Sequence, residues 1–269
     1  MGFASGFCQK EGQQMWNITK RITVGAVILL LPTFVIWFSG WQWQPGGSES
    51  ALKALFWVTE TVTAPWGIIT SIILSGWFLW CLRFRLKPAI GLLALLGVVI
   101  VLGQGLKSLI KENVQEPRPF VVWLEAEYHI DNRFFYSLSR TERSELVKQQ
   151  LQDQSIIPAW LSSHWQFETG FAFPSGHTVF AASWALLAVG LLWPRRHYKT
   201  VILLMLWAQG VMMSRLALGM HWPGDLMAAT LISGLLVAIV CSLVQRWFGP
   251  LNIPPQEQQE IEKREHGEN

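Results

Sequence analysis

The sequence predicts an all-α membrane protein: a bundle of six transmembrane helices with a partly helical periplasmic segment between the third and fourth spans. Composition is the first observation behind this. Of 269 residues, 51% are hydrophobic and only 14% charged, with a mean hydropathy of +0.30; a soluble domain carries about a quarter charged residues. The second is patterning. Six apolar runs, at 22–41, 65–82, 88–110, 177–193, 200–218 and 226–245, reach or approach the ~20 residues needed to cross a bilayer core. The third is the sixteen tryptophans, whose indole rings favour the membrane–water interface.

Residues 1–20 are polar and glycine-containing and read as a flexible cytoplasmic tail, within which Met15 is an alternative start. They lack the apolar core of a cleaved signal peptide, although the first apolar run is long enough for an uncleaved signal anchor. The span region is expected over 21–249, with an insertion at about 111–176, followed by a charged tail at 250–269. The run 177–193 is short for a span and needs an interfacial start or support from its neighbours. Basic residues set the orientation. Lys20 and Arg21 precede the first run; Arg83, Arg85 and Lys87 fill the second turn; Arg195, Arg196 and Lys199 fill the fourth; Arg246 follows the sixth run. If all six runs span, these fall on one side, which is then the cytoplasm, and both termini lie there.

The opposite side receives 42–64, the long 111–176 and the short 219–225. A connection as long as the second is expected to be functional. Within it, Ser139-Arg140-Thr141-Glu142 reads as a capping box opening a short surface helix. The later Trp160, Trp165, Phe167, Phe171 and Phe173 read as interfacial anchors, or as the lining of a path for a lipid.

Three polar clusters lie at the outer ends of apolar runs. Lys111 and Arg118 follow the third run, and Arg118 is stiffened between Pro117 and Pro119. Lys107 reads as a lysine snorkelling from a helix end. In Gly170-Phe-Ala-Phe-Pro-Ser-Gly-His177, Ser175 is suited to cap a helix whose first turn presents free N–H groups to an anion. His177 in that turn is a candidate proton donor. The third cluster runs from Ser214 to Asp225. Arg215 lies inside an apolar run, where a charge costs about 2.5–3.5 kcal/mol at the centre and less near the end, so it should face an anion within the bundle. Pro223 suits the first position of the last helix, which lets Asp225 reach back to His221. A histidine oriented by a carboxylate is an activated base or nucleophile. Singly, each cluster also reads as ordinary helix capping or a solvated loop.

Together they do not. Lys111, six residues, Arg118-Pro119; Pro174-Ser175-Gly176-His177; Ser214-Arg215, five residues, His221, three residues, Asp225: this resembles the three-part signature of the type-2 phosphatidic acid phosphatase superfamily, in its order and without departure. The resemblance implies a lipid phosphatase working through a phosphohistidine. His221 would be the nucleophile, Asp225 its orienting partner and His177 the leaving-group acid. Lys111, Arg118, Ser175, Gly176 and Arg215 would bind the phosphate. It further implies no cofactor and no metal, a bacterial inner membrane with the active site facing the periplasm, and a membrane lipid phosphate as substrate. Candidate substrates are phosphatidylglycerophosphate, phosphatidic acid, diacylglycerol pyrophosphate and undecaprenyl pyrophosphate.

No nucleic-acid partner is expected at a net charge of +3 with the basic residues confined to turns, and no obligatory protein partner is evident. Soluble acid phosphatases and vanadate-dependent haloperoxidases share the motifs but are expected to lack the spans. A non-hydrolytic carrier of phospholipid or polyprenyl phosphate is the rival of another class, and it would need only the cations. Cys8, Cys81 and Cys241 suggest neither a disulfide framework nor a metal site. His129, His164, His197 and His266 match no motif position and are expected at the surface.

Overall fold

The computed structural model describes residues 2–83, 86–152 and 155–248, with side chains left aside at 2–15, 86–88 and 245–248, and every regular element in it is helical. In chain order these are α1 (Gly2–Phe38), α2 (Glu49–Glu60), α3 (Trp66–Leu82), α4 (Leu86–Val114), α5 (Pro119–Tyr128) and α6 (Asn132–Ser137). There follow α7 (Arg140–Leu151), α8 (Ala159–Phe167), α9 (Gly176–Leu191), α10 (Tyr198–Ala217) and α11 (Pro223–Phe248). The tail at 250–269 and Arg85 lie outside the described residues, and His266 with them. The stretch 2–20, expected to be flexible, is helical and continuous with the first apolar run.

Four stretches are long and apolar enough to cross a membrane: Trp16–Phe38, Ala89–Tyr128, Tyr198–Ala217 and Pro223–Val244. The apolar helices α3 and α9 are shorter. At 16 residues, α9 is about 24 Å long, short of a ~30 Å hydrocarbon core. It is shielded by its neighbours: every residue from Thr178 to Leu191 is buried, with α1, α4, α10 and α11 packed around it. Helix α3 is the opposite case. Ile68, Ile72 and Trp80 on it are each about two-thirds exposed, as a lipid-facing surface should be.

A second hydrophobic cluster, centred on Trp43, Phe120, Trp165, Leu218 and Met220, sits beside the bundle's main core. It joins the segment after α1, the helices α5 to α8 and the turn after α10, so the three connections expected on one side of the membrane do meet. Helix α7 opens as expected. Ser139 Oγ accepts from Glu142 N–H, and Glu142 Oε2 accepts from Ser139 N–H. Helix α2 was not foreseen. It packs along α10 and supplies Thr59 and Glu60 to the polar centre.

Candidate active site

Each polar cluster is delivered by a helix end. Ser175 caps α9, its Oγ accepting from Thr178 N–H at 3.3 Å, and this fixes His177 in the first turn. Gly176 lets the Lys107 side chain lie against the helix start, where a Cβ would fall 2.7 Å from Lys107 Cδ and displace it. At the end of α10 the chain turns through Gly219, whose φ is +70° and whose missing Cβ would fall 2.6 Å from the Trp43 ring. The turn is held from both sides. Trp43 Nε1 donates to Ala217 O and Trp165 Nε1 to Leu218 O, at 3.0 and 2.9 Å, which satisfies carbonyls left free at a helix end. The N–H groups of Met220 and His221 return to Arg215 O.

His221 is thereby placed against the next helix. Its Nδ1 lies 3.1 Å from Asp225 Oδ2, which also accepts from Trp222 N–H at 2.8 Å. A carboxylate partner requires the proton on Nδ1, leaving Nε2 with a free lone pair. Burial, followed by the charges of Arg118, Arg215 and Lys111, holds the His221 imidazole well below its usual pKa and therefore neutral. A similar argument applies to His177. Glu168 Oε1 lies 3.5 Å from His177 Nε2, which favours a proton on that nitrogen, and Thr63 Oγ1, 3.1 Å away, is able to accept from it while its own hydroxyl turns to Thr59 O.

Lys111, Arg118, Gly176, His177 and His221 line one pocket of about 470 Å³, with Lys107 and Glu168 beside them. Ser175, Arg215 and Asp225 are fully buried behind it. Arg118 is aimed by Gly170 O, which accepts from its Nε at 2.6 Å, and by Met220 O. The Ser175 hydroxyl oxygen is already engaged as the cap, which leaves its O–H as the group it can offer.

Glu168 was missed from the sequence. Its Oε2 accepts from Arg215 Nη2 at 2.8 Å and lies 3.2 Å from Arg118 Nη1, while Oε1 is 3.5 Å from His177 Nε2. Burial alone would raise this carboxyl, but the surrounding positive charge, Arg215 foremost, holds it well below the usual carboxylate range. It is the anion that the buried Arg215 required. The signal was available as a lone acidic residue inside the aromatic run from Trp160 to Phe173.

His164 was expected at the surface and is instead 6% exposed. Its Nε2 accepts from Arg215 Nη1 at 3.2 Å, which leaves Nδ1 as the protonated nitrogen, toward Glu60 Oε1 at 3.9 Å. His197 is half-buried against Cys81 O, whereas His129 is exposed. The aromatic run also divides. Trp165 is buried and stacks on Phe120, Phe171 stacks on Tyr136, and Phe167 reaches the pocket wall. Lys107 packs on Gly176 in the pocket wall and is not simply snorkelling.

Three separated segments thus bring two histidines, a buried carboxylate and a set of cations to one pocket. Residues 92–249, which carry all of them, match the PAP2 superfamily. The chain belongs to the PAP2 superfamily. Among curated relatives, phosphatidylglycerophosphatase B of Escherichia coli K12 is 61% identical over 251 residues, covering 93% of this chain and 99% of the relative. Phosphatidylglycerophosphatase B of Haemophilus influenzae is 34% identical over 235 residues, covering 84% and 96%. This PAP2 chain is a phosphatase, which sets the carrier reading aside, and its apolar helices make it a membrane protein.

Proposed function

We propose that this phosphatase spans the bacterial inner membrane six times. On its periplasmic face it removes the terminal phosphate from phosphatidylglycerophosphate and related lipid phosphates and pyrophosphates, through a phosphohistidine. The observation that carries the mechanism is that two histidines, one backed by a buried carboxylate and the other beside Glu168, line one pocket with Lys111 and Arg118. With its Nδ1 proton directed to Asp225, His221 offers a lone pair on Nε2, and a proton on His177 Nε2 suits the opposite role in the same pocket wall.

In the first step His221 Nε2 forms a bond to phosphorus as the bond to the leaving oxygen breaks. His177, which the negative charge of a bound phosphate allows to hold a second proton, gives its Nε2 proton to that oxygen. Asp225 stabilises the positive charge that develops on His221. Water then attacks phosphorus, His177 takes up its proton, and the P–N bond breaks to return neutral His221 and inorganic phosphate. The transition state spreads negative charge over the equatorial oxygens, and Lys111, Arg118 and Arg215 are the fixed cations suited to it.

The wall of the pocket supports a lipid substrate. Ile68 of α3, Ile100 of α4 and Phe180 of α9 continue it in apolar side chains toward the lipid-facing surface of α3. The deciding experiment is phosphate release by the purified chain from each of the four candidate lipids in detergent, with His221→Ala as control. Release from phosphatidylglycerophosphate that is lost in the variant is expected. Lipid binding without release, or release that survives the substitution, would overturn the proposal.

A further inference from the structure

The bundle holds a second, larger cavity of about 590 Å³, far from the pocket just described. It is a groove between α1, the end of α9 and the first half of α10. Helix α9 begins and α10 ends at the active site, so the stretches that line the groove, Val189 to Trp193 and Val201 to Gln209, belong to the opposite leaflet.

Three features describe an occupant. The walls are apolar, with Ile28 and Leu206 each more than half exposed along them. From Arg21 to Pro32 the groove follows α1 for eleven residue steps, about 16 Å at 1.5 Å per residue. That is the depth of one leaflet of a ~30 Å hydrocarbon core. The outer end is basic: Lys20 and Arg21 line it, and Arg21 Nη1 is buried without a hydrogen-bond acceptor. A buried guanidinium nitrogen with no acceptor is costly unless something supplies one. Trp193, 44% exposed, stands at the same end, where an indole marks the interface.

We propose that this groove binds one anionic phospholipid of the leaflet opposite the active site, an acyl chain lying along α1 and α10 and the headgroup phosphate on Lys20 and Arg21. A zwitterionic lipid fills the same walls, but its ammonium group offsets the attraction. The occupant is held in place and is not consumed, because no histidine, cysteine, hydroxyl or carboxylate side chain lines the groove among the described residues.

The test is photo-cross-linking of the purified full chain with phosphatidylserine or phosphatidylcholine bearing a diazirine in one acyl chain, followed by peptide mapping. Mapping separates this groove from the catalytic pocket. Labelling within residues 20–32 and 201–209 is expected to favour phosphatidylserine by about fivefold or more, given ~1 kcal/mol per basic residue near a membrane surface. Lys20→Gln with Arg21→Gln should abolish the preference, and Ile28→Trp should block labelling by both lipids. Phosphatase activity should persist in both variants. Salt provides a reading that needs no variant: at about 0.5 M the preference in the unaltered chain should shrink. Equal labelling by the two lipids would mean ordinary boundary lipid. A preference that survives the double substitution, or chain-to-chain cross-links through these residues, would equally overturn the proposal.

Discussion

Glu168 and Arg215 stand 47 residues apart in the chain and meet at 2.8 Å, in a contact that also draws in Arg118 at 3.2 Å. Both arginines are thus oriented by one carboxylate of the pocket wall, Arg118 within that wall and Arg215 buried behind it.

That arrangement predicts competition. Glu168→Gln keeps the shape but removes the charge, so vanadate, which imitates the transferring phosphoryl group, should bind about tenfold more tightly (~1.4 kcal/mol). The same change should cost stability, on the order of 3 kcal/mol, because buried arginines lose their counter-ion. Inhibition constants and thermal unfolding in detergent measure the two. Unchanged or weaker vanadate inhibition would mean that Glu168 stays in place beside the phosphoryl group and only positions the arginines.

The two histidines should separate on leaving-group demand. His221→Ala should lose turnover on every substrate and yield no trapped phosphoenzyme. His177→Ala should retain measurable hydrolysis of nitrophenyl phosphate, whose leaving group hardly needs a proton, while losing about 10²–10⁴-fold on a lipid phosphate. Asp225→Asn should fall between them. The reverse pattern on the aryl substrate would exchange the assigned roles.

Trp165 never touches the pocket, yet its Nε1–H holds Leu218 O three residues before His221. Trp165→Phe keeps the stack on Phe120 and strands that carbonyl, at a cost of about 1–3 kcal/mol. A fall in kcat of roughly tenfold with little change in KM is expected. Steady-state kinetics with a lipid phosphate measures this, and a change confined to KM would point to the substrate path instead.

Acid should destabilise the chain in two stages. His164 is pushed down to about 4, first by burial and then by Arg215, from an unfolded value near 6.5. Between these values the unfolded chain binds more protons, so stability falls with falling pH, by up to about 3 kcal/mol. Glu168, whose folded pKa is depressed, adds its own loss as pH falls below about 4.5 and through its folded pKa. His164→Gln should flatten the melting temperature from pH 6.5 to 4 and leave the lower stage in place. An unaltered slope in the upper window would exclude His164 as its source.

The proposed orientation is checked by single cysteines at Ser139 and Ser163, both exposed, after replacement of Cys8, Cys81 and Cys241. An impermeant thiol reagent should label both on cells with an intact inner membrane. Labelling only after that membrane is breached would invert the topology.

Sequence by itself determined the helical membrane class, the apolar runs and the local devices at helix ends. Ser175 at the start of α9, Pro223 at the start of α11 and the reach of Asp225 to His221 all depend on residues within four positions of one another. Backbone geometry fixes such contacts without knowledge of the rest of the chain. The family signature was legible for the same reason, as spacing within short segments.

Only tertiary structure decided what is coupled across distance. It placed Glu168 between Arg118 and Arg215, buried His164 against Arg215, brought Thr63 to His177, and turned Trp165 from an expected interface anchor into a prop, with Trp43, for the turn that carries His221. A lone glutamate, a lone histidine and two tryptophans have no local pattern to distinguish them. The deciding contacts of Glu168 and His164 with Arg215, of Thr63 with His177, and of Trp43 and Trp165 with the turn after α10 span 47 to 174 residues. The physical demand that selects them is that buried charges and helix-end carbonyls find partners, and it arises only when the helices are packed together.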